Sequence, residues 1–268
     1  GVETRLPLPF PFRTSMRDRT MTNSPETANL QAEMAALRAF SAAVGADPSL
    51  TLAAGGNTSL KDGDTLWIKA SGTWLAHALE RDIMVPVAMK PLLAAVEADD
   101  PAAEQTHRFT ITARNPSGLR PSIETTVHAL MPQRVVAHVH CVDTIALAVR
   151  TDAVAELGQR LDGFNWAYVP YHRPGLPLAK GIALQRAQRP DVLILGNHGL
   201  VVAAESVAET KALLRTVKQR LRQDALPTPP ADTARLAQLA DGSGYRLPAD
   251  AAAHAVALDP IATAIAAG

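Results

Sequence analysis

Residues 191–203 read DVLILGNHGLVVA, two β-branched and aliphatic runs separated by Gly-Asn-His-Gly. Short runs of this composition favour buried strands, and glycines mark the place where a chain turns. The segment therefore predicts two strands that are broken at His198. A histidine held at such a break, with a glycine beside it, can turn its ring into a cleft.

A second segment, RVVAHVHCVDTIALAV at residues 134–149, predicts a strand that continues as a helix from Asp143. Residues two apart on a strand project from one face, so His138 and His140 are predicted to lie side by side. Two adjacent imidazoles are awkward in an apolar core but suit a pair of metal ligands. For H-x-H alone, ordinary core or surface histidines are an equally good interpretation. The neighbouring Cys141 is better explained as buried filler than as a ligand.

With His198, the pair becomes a set of three imidazoles. Three histidines with an open fourth position are the pattern of a catalytic rather than a structural zinc site. The combination of H-x-H with the Gly-Asn-His-Gly break on flanking strands favours the metal interpretation over scattered structural histidines.

Hydrophobic spacing elsewhere in the chain predicts further elements around these strands. Helices are predicted at 26–44, 90–98, 123–131 and 205–224, and strands at 65–71 and 82–87.

Composition limits the kinds of partner that the chain can have. The 268 residues contain 26 Lys+Arg and 26 Asp+Glu, so the formal net charge is zero. A net charge of zero argues against a protein that binds nucleic acid or an anionic membrane through a basic surface. The single cysteine excludes an intrachain disulfide and fits a reducing compartment, so a cytoplasmic location is expected. No apolar run has the roughly 18–20 residues of a membrane span.

The two ends of the chain differ in character from its middle. Residues 1–25 predict a poorly ordered N-terminal arm that lacks the apolar core of a secretory signal. A transit peptide is the competing interpretation of the arm, and Glu3 and Asp18 weigh against it. Pro-Thr-Pro-Pro at 227–230 predicts a linker. Residues 226–268 are interpreted as this linker plus a helical C-terminal extension, with a truncated second region as an alternative.

Glu124 lies in PSIETTVHAL, on the first turn of the predicted short helix. A carboxylate there is favoured by the positive end of the helix dipole, which is a sufficient structural explanation. The functional alternative is a general base beside a metal. His128, four residues on, lies on the same helix face and is interpreted as a structural neighbour rather than a ligand. Ser122 either caps the helix or helps to hold an anion.

Two predicted loops are poor in charge and rich in small hydrogen-bond donors, Gly55-Gly56-Asn57-Thr58-Ser59 and Ser71-Gly72-Thr73. Turns of this kind can cradle a phosphate or a carboxylate. Each loop alone is weak support for an anion-binding site, because ordinary turns use the same residues.

Taken in order, the motifs resemble the class II aldolase/adducin family, over about residues 26–225. The resemblance rests on GGNTS (55–59), KASG (69–72), PSIE (121–124), HVH (138–140) and GNHGL (196–200). The enzymes most similar by motif are the fuculose-phosphate and rhamnulose-phosphate aldolases and the ribulose-phosphate 4-epimerases. The resemblance implies an α/β fold, a three-layer α/β/α sandwich on a largely antiparallel central sheet.

The resemblance also implies roles for individual residues. A zinc or another divalent metal is expected on His138, His140 and His198, and Glu124 is expected to be the catalytic acid/base. The implied substrate-binding residues are Asn57, Ser71, Gly72 and Ser122. A homotetramer with sites at its subunit interfaces is implied as well.

The implied activity is zinc-dependent retro-aldol cleavage of a ketose or ketose phosphate to an aldehyde and a dihydroxyacetone-type ketone. The alternatives are an epimerase or a dehydratase of the same fold and an adducin-like binding module without catalysis. Ile123 departs from the P-S-S-E pattern of many family members and removes a hydroxyl, which leaves the phosphate requirement open. Tyr168 and Tyr171 are candidates for the family's proton-donor tyrosine, but neither aligns with it.

Overall fold

The computed structural model of the chain describes residues 25–224, 230–250 and 252–254. The predicted N-terminal arm falls outside the described residues apart from its last residue. The same holds for most of the predicted linker and for the end of the chain. The described chain divides into two compact units, the first extending to Arg220 and the second beginning at Leu221.

The elements follow one another as mixed helices and strands. In chain order they are α1 (Pro25–Gly45), β1 (Asn57–Asp62), β2 (Thr65–Lys69), β3 (Met84–Ala88), α2 (Met89–Glu97), α3 (Thr125–Leu130), β4 (Val135–Val139), α4 (Val142–Ala148), α5 (Ala153–Arg160), β5 (Trp166–Val169), α6 (Leu176–Ala183), β6 (Val192–Leu195), β7 (Gly199–Ala204), α7 (Val207–Leu221) and α8 (Thr233–Ala240). Short 3₁₀ turns occur at Leu75–His77, Pro101–Glu104, Thr106–Phe109, Thr112–Arg114 and Arg186–Gln188.

In the described part of the chain, seven strands form one sheet in the order β3-β2-β1-β4-β7-β6-β5. All neighbouring strands are antiparallel except β5 and β6. In the three central strands, Asn57 of β1 pairs with His138 of β4, and His138 pairs with Val201 of β7. The beginning of β1, the end of β4 and the beginning of β7 therefore meet at one edge of the sheet.

Helices cover both faces of the sheet. On one face, α2, α3 and α6 pack over a continuous apolar core that includes Val136, Leu193 and Val201. On the other face, Ser41 of α1 hydrogen-bonds to Thr58 of β1 at 2.6 Å. Side chains alternate along each strand, and this alternation supplies both faces with buried residues. The predicted α/β/α sandwich on a largely antiparallel sheet is confirmed.

The predicted elements that lie in the described region are found, with small shifts of their ends. One prediction is wrong, because Asn57, Thr58 and Ser59 begin strand β1 and are not part of a loop. Their polarity suggested a turn, but the hydroxyls of Thr58 and Ser59 find buried partners on the two sides of the sheet. Satisfied polar groups can occupy a buried strand at little cost. Strand β5 and helices α5 and α6 were not predicted.

The second unit contains α8, whose N-terminus is capped by Asp232. The Asp232 carboxylate accepts a hydrogen bond from the backbone N–H of Arg235 at 2.9 Å. None of the α8 residues is buried. No helix among the described residues has the length and apolar character needed to cross a bilayer.

The close approach of β4 and β7 generates a stability prediction at Gly199. A Cβ atom there would lie 2.4 Å from the carbonyl oxygen of Val139, so the strands would have to separate. We expect Gly199→Ala to lower the free energy of unfolding by about 1–3 kcal/mol in urea titrations. The control is Gly158→Ala in α5, where the new Cβ would meet its nearest neighbour at an ordinary 3.8 Å. An equal loss in the two variants would contradict the packing argument.

Candidate metal centre

Three histidines that are far apart in sequence converge at the edge of the sheet where β1, β4 and β7 meet. His138 lies on β4, His140 follows the end of β4, and His198 lies in the turn between β6 and β7. The ring centroids are separated by 5.0 Å for His138 and His140, 4.9 Å for His138 and His198, and 5.3 Å for His140 and His198. One nitrogen of each ring lies within 4.8 Å of the others.

The local backbone explains why His198 points into this cluster. The N–H of His198 donates to the carbonyl of Leu195 at 3.1 Å, which closes a tight turn. Asn197 takes a positive φ of 50°, a conformation that asparagine tolerates better than most residues. Gly199 then begins β7 directly against β4. The sequence Gly-Asn-His-Gly is thus the turn that presents the imidazole.

Glu124, which immediately precedes α3, reaches the histidines from the layer of helices that covers this face of the sheet. Its Oε1 lies 3.2 Å from Nε2 of His198, and its Oε2 lies 3.5 Å from Nε2 of His138. Asn57 Nδ2 donates a hydrogen bond to Oε2 at 2.7 Å. The prediction that Glu124 lies on the first turn of a helix is wrong by one residue, because Glu124 precedes Thr125, the first residue of α3.

Several polar atoms of this cluster are buried without a hydrogen-bond partner in the described residues: Glu124 Oε1, His138 Nε2, His140 Nε2 and His198 Nδ1. Unpaired buried polar atoms are uncommon because each loses its interactions with water. Imidazole nitrogens and a carboxylate oxygen are also donor atoms that zinc accepts. These donor atoms are therefore better explained by a site for a divalent cation than by an ordinary apolar core.

The protonation states of the side chains agree with this fit. Burial lowers the pKa of His138 to about 4 and also lowers the pKa of His140, so both rings are neutral near pH 7. A neutral imidazole can donate its lone pair to a metal. Burial by itself would raise the pKa of Glu124, but His138 and His198 outweigh it and bring that pKa well below its ordinary value.

His138 is oriented by its second nitrogen. Nδ1 of His138 lies 3.1 Å from the carbonyl oxygen of Leu200, so it carries the ring proton and donates it there. That tautomer leaves Nε2 as the lone-pair atom that faces the cluster. A backbone acceptor of this kind commonly fixes the tautomer of a metal-binding histidine.

A cavity of about 240 Å³ opens beside the cluster. All four residues predicted to bind substrate line it, namely Asn57, Ser71, Gly72 and Ser122. Glu124, His140 and His198 form its side nearest the cluster, whereas His138 is completely buried beneath. Ile123 also faces the cavity and is 56% exposed, so the residue that breaks the family pattern lies at the opening.

Lys69 is a cavity residue that sequence reasoning missed. Its side chain is buried, and Nζ donates to the carbonyl oxygen of Ala54 at 2.7 Å. Burial lowers the pKa of Lys69 to about 8, and the nearby Glu124 opposes that shift. The available signal was its place in KASG, at the end of a strand and two residues before Ser71.

The remaining candidates lie outside this arrangement. His128 is fully buried, and its Nδ1 lies 2.7 Å from Oγ of Ser59, as expected of a structural neighbour. Cys141 is buried and is not part of the histidine cluster. Tyr168 donates its hydroxyl to the carbonyl of Ala148 at 3.2 Å, and Tyr171 is exposed. Neither tyrosine lines the described wall of the cavity.

A known protein family matches most of the chain. Residues 36–224 match the family model for the class II aldolase and adducin N-terminal domain. The structure resembles the N-terminal class II aldolase domain of a conserved protein from Thermoplasma acidophilum. That match has 25% identity and a TM-score of 0.61, and covers 70% of this chain and 92% of that one. An aldolase II superfamily protein from Pseudomonas syringae shares the fold, with 18% identity, a TM-score of 0.52 and coverage of 84% and 82%.

A curated relative is the uncharacterized oxidoreductase YuxG of Bacillus subtilis (strain 168), which is 29% identical over 181 residues. The match covers 61% of this chain and 25% of YuxG, so the chain spans about a quarter of the length of that relative.

The buried His128 gives a prediction about stability and pH. Burial lowers the pKa of His128 to about 3. Below pH 6.5 the unfolded chain therefore binds a proton at His128 that the folded chain does not bind. Stability is therefore lost as the pH falls from 6.5 towards 3, by up to about 1.4 kcal/mol per pH unit for this one group. Between pH 6 and pH 5, we expect the free energy of unfolding of the double variant His128→Met/Ser59→Ala to fall by about 1 kcal/mol less than that of the wild type, as measured in urea titrations.

Ser59→Ala alone provides the control for that measurement, because it keeps the buried imidazole of His128. It should keep the wild-type dependence on pH, since burial is the main cause of the lowered pKa of His128. If the His128 variant keeps it too, the burial of His128 is not what couples folding to protonation.

Proposed function

The chain belongs to the class II aldolase and adducin N-terminal domain family, and we propose that it is a metal-dependent aldolase that cleaves a ketose or ketose phosphate. One observation carries the proposal. One nitrogen each of His138, His140 and His198 converges within 4.8 Å of the others, next to the Glu124 carboxylate and a cavity lined by small polar groups. A binding module without catalysis gives no reason to bury these four donors together.

The three histidines would hold zinc or another divalent metal. When bound, such an ion would polarise the carbonyl and neighbouring hydroxyl oxygens of a ketose as a Lewis acid. The neutral state of His138 and His140 near pH 7 supports this role, because protons do not have to be displaced first.

Glu124 would be the group that moves a proton. It is ionised at neutral pH, buried, and within 3.5 Å of two of the histidines, so its carboxylate can accept a proton from a substrate held in the cavity. After bond cleavage the same carboxylate would return that proton to carbon. Proton transfer by a positioned carboxylate contributes typically about 10²–10⁴-fold to a rate.

The cavity would receive the end of the substrate that does not react. Asn57, Ser71 and Ser122 offer an amide and two hydroxyls there, and Lys69 supplies a buried positive charge. A buried anion needs several such partners to offset its lost hydration. This combination favours a substrate that ends in an oxyanion, either a phosphate or a carboxylate.

An epimerase or a dehydratase of the same fold remains the alternative, since each would use the same metal and carboxylate on a different bond. Release of an aldehyde separates cleavage from epimerisation, which changes configuration without producing a fragment. The homotetramer and the cytoplasmic location stay predictions from the resemblance and the composition.

The first test separates metal binding from chemistry at Glu124. We expect one divalent ion per chain by elemental analysis, and a screen of ketoses with and without phosphate should release an aldehyde. Glu124→Gln should lower that rate by about 10²–10⁴-fold while most of the metal is retained. His198→Ala should lose metal and activity together.

The matched control is His107→Ala, which removes an exposed histidine away from the cluster. It should keep both metal and activity. Full activity in Glu124→Gln, or full metal content in His198→Ala, would refute the assigned roles.

A second test concerns Ile123 at the opening of the cavity. Replacing an apolar side chain by a hydroxyl adds a donor for an oxyanion. We expect Ile123→Ser to raise kcat/KM for phosphorylated over unphosphorylated ketoses by roughly tenfold, the effect of about one hydrogen bond. Leu184→Ser, at an exposed leucine outside the cavity, controls for a general loss of apolar surface. An unchanged ratio in Ile123→Ser would mean that position 123 does not meet the substrate.

A further inference from the structure

Asn57 lies on the boundary between the histidine cluster and the cavity. It is the first residue of β1 and pairs through the sheet with His138 of β4. Its side chain is 4% exposed, and it lines the cavity together with Ser71 and Ser122. The amide can therefore contact both the histidine cluster with Glu124 and a group in the cavity.

The strand that carries Asn57 is anchored on both of its faces. The next two residues of β1, Thr58 and Ser59, are each tied by a buried side-chain hydrogen bond to another layer of the fold. The backbone from which the Asn57 side chain extends is therefore fixed, and the amide lies within reach of both Glu124 and the cavity.

In the described structure the group that comes to Nδ2 is the carboxylate of Glu124. The distance from Nδ2 to Oε2 is 2.7 Å, and both side chains are buried. Hydrogen bonds to an ionised acceptor are shorter and stronger than neutral ones. Asn57 thus contributes to fixing the carboxylate beside the histidines.

We infer that Asn57 is a positioning residue through which an oxyanion in the cavity changes the placement of Glu124. The inference rests on the proposed function, in that it takes the cavity to receive the oxyanion end of a substrate. An oxyanion that accepts from Nδ2 would bring a second negative charge next to the Glu124 carboxylate. Nδ2 carries two hydrogens, but the repulsion between two anions on them is weakly screened in a buried site, so the oxyanion and the carboxylate compete for the amide.

This exchange would make Glu124 dependent on substrate. While the amide donates to Glu124, Oε2 is occupied. With an oxyanion on the amide, Oε2 is freed while the substrate is already anchored next to it. Oε2 would then be available for proton transfer only when there is a substrate to act on.

The test is a double-mutant cycle on the metal-free 268-residue chain, with inorganic phosphate as the probe. Four proteins are titrated by calorimetry: wild type, Glu124→Gln, Asn57→Ala and the double variant. If phosphate has to displace Glu124 from the amide, Glu124→Gln should tighten phosphate binding about tenfold while Asn57 is present. In the Asn57→Ala background the same change should tighten binding by less than about threefold, an effect of general charge repulsion.

Equal tightening in the two backgrounds would overturn the inference, because the charges would then interact through space without the amide. The absence of phosphate binding to all four proteins would overturn it as well, unless acetate, titrated in parallel, shows the coupling in its place. In that case a carboxylate is the oxyanion that the cavity takes.

Two controls keep the result interpretable. Asn57→Leu keeps the number and branching of the side-chain heavy atoms of asparagine and lacks the donor, so it takes the place of Asn57→Ala in the cycle if the smaller side chain disturbs folding. Ser71→Ala removes another cavity donor that is not bonded to Glu124. It should weaken phosphate binding but leave the tenfold effect of Glu124→Gln intact. Because the cycle needs neither metal nor turnover, its failure is distinct from failure of the proposed aldolase activity.

Discussion

The structure of the candidate site depends on one constraint, the burial of the Glu124 carboxylate among imidazoles at the edge of the central sheet where β1, β4 and β7 meet. Glu124 is 7% exposed and ionised, and a buried charge is tolerated only when other groups surround it with compensating interactions. The surrounding structure supplies them from separate elements, with Asn57 from β1, His138 from β4 and His198 from the β6–β7 turn. Antiparallel pairing of the three central strands is what brings these elements to the same edge.

The parts of this site that the sequence predicts are those governed by local periodicity. Alternation along β4 puts His138 and His140 on one side, and the glycines around His198 predict its turn. The hydrogen bond between Asn57 and Glu124 spans 67 positions and depends on how α3 packs on the sheet, which no local pattern contains. The same is true of β1, because the partners that allow polar residues in a buried strand belong to α1 and α3.

Lys69 illustrates a further limit of reading from sequence. A lysine at the end of a strand is normally exposed, so the place of Lys69 in KASG indicates nearness to Ser71 but not that its side chain turns inward. In the fold, the Ala54 carbonyl accepts a hydrogen bond from its Nζ, and Glu124 lies close enough to act on its pKa. The histidines and Glu124 account for a metal site without this charge, so the metal interpretation does not predict it.

Stability and function are in tension in such a centre. The unpaired nitrogens of His138, His140 and His198 and the free oxygen of Glu124 each represent lost hydration that the apolar core around Val136 and Val201 has to offset. A ligand that binds only the folded chain stabilises it in proportion to its affinity. A cation on these atoms would therefore satisfy the donors and tighten the junction of β4 with β7 at the same time. The cavity beside the cluster also combines opposite characters, with the buried charge of Lys69 and the exposed apolar side chain of Ile123 in its wall. On the proposed function, an oxyanion would be held by Lys69 and the small polar donors around it, and Ile123 adds no donor to that set.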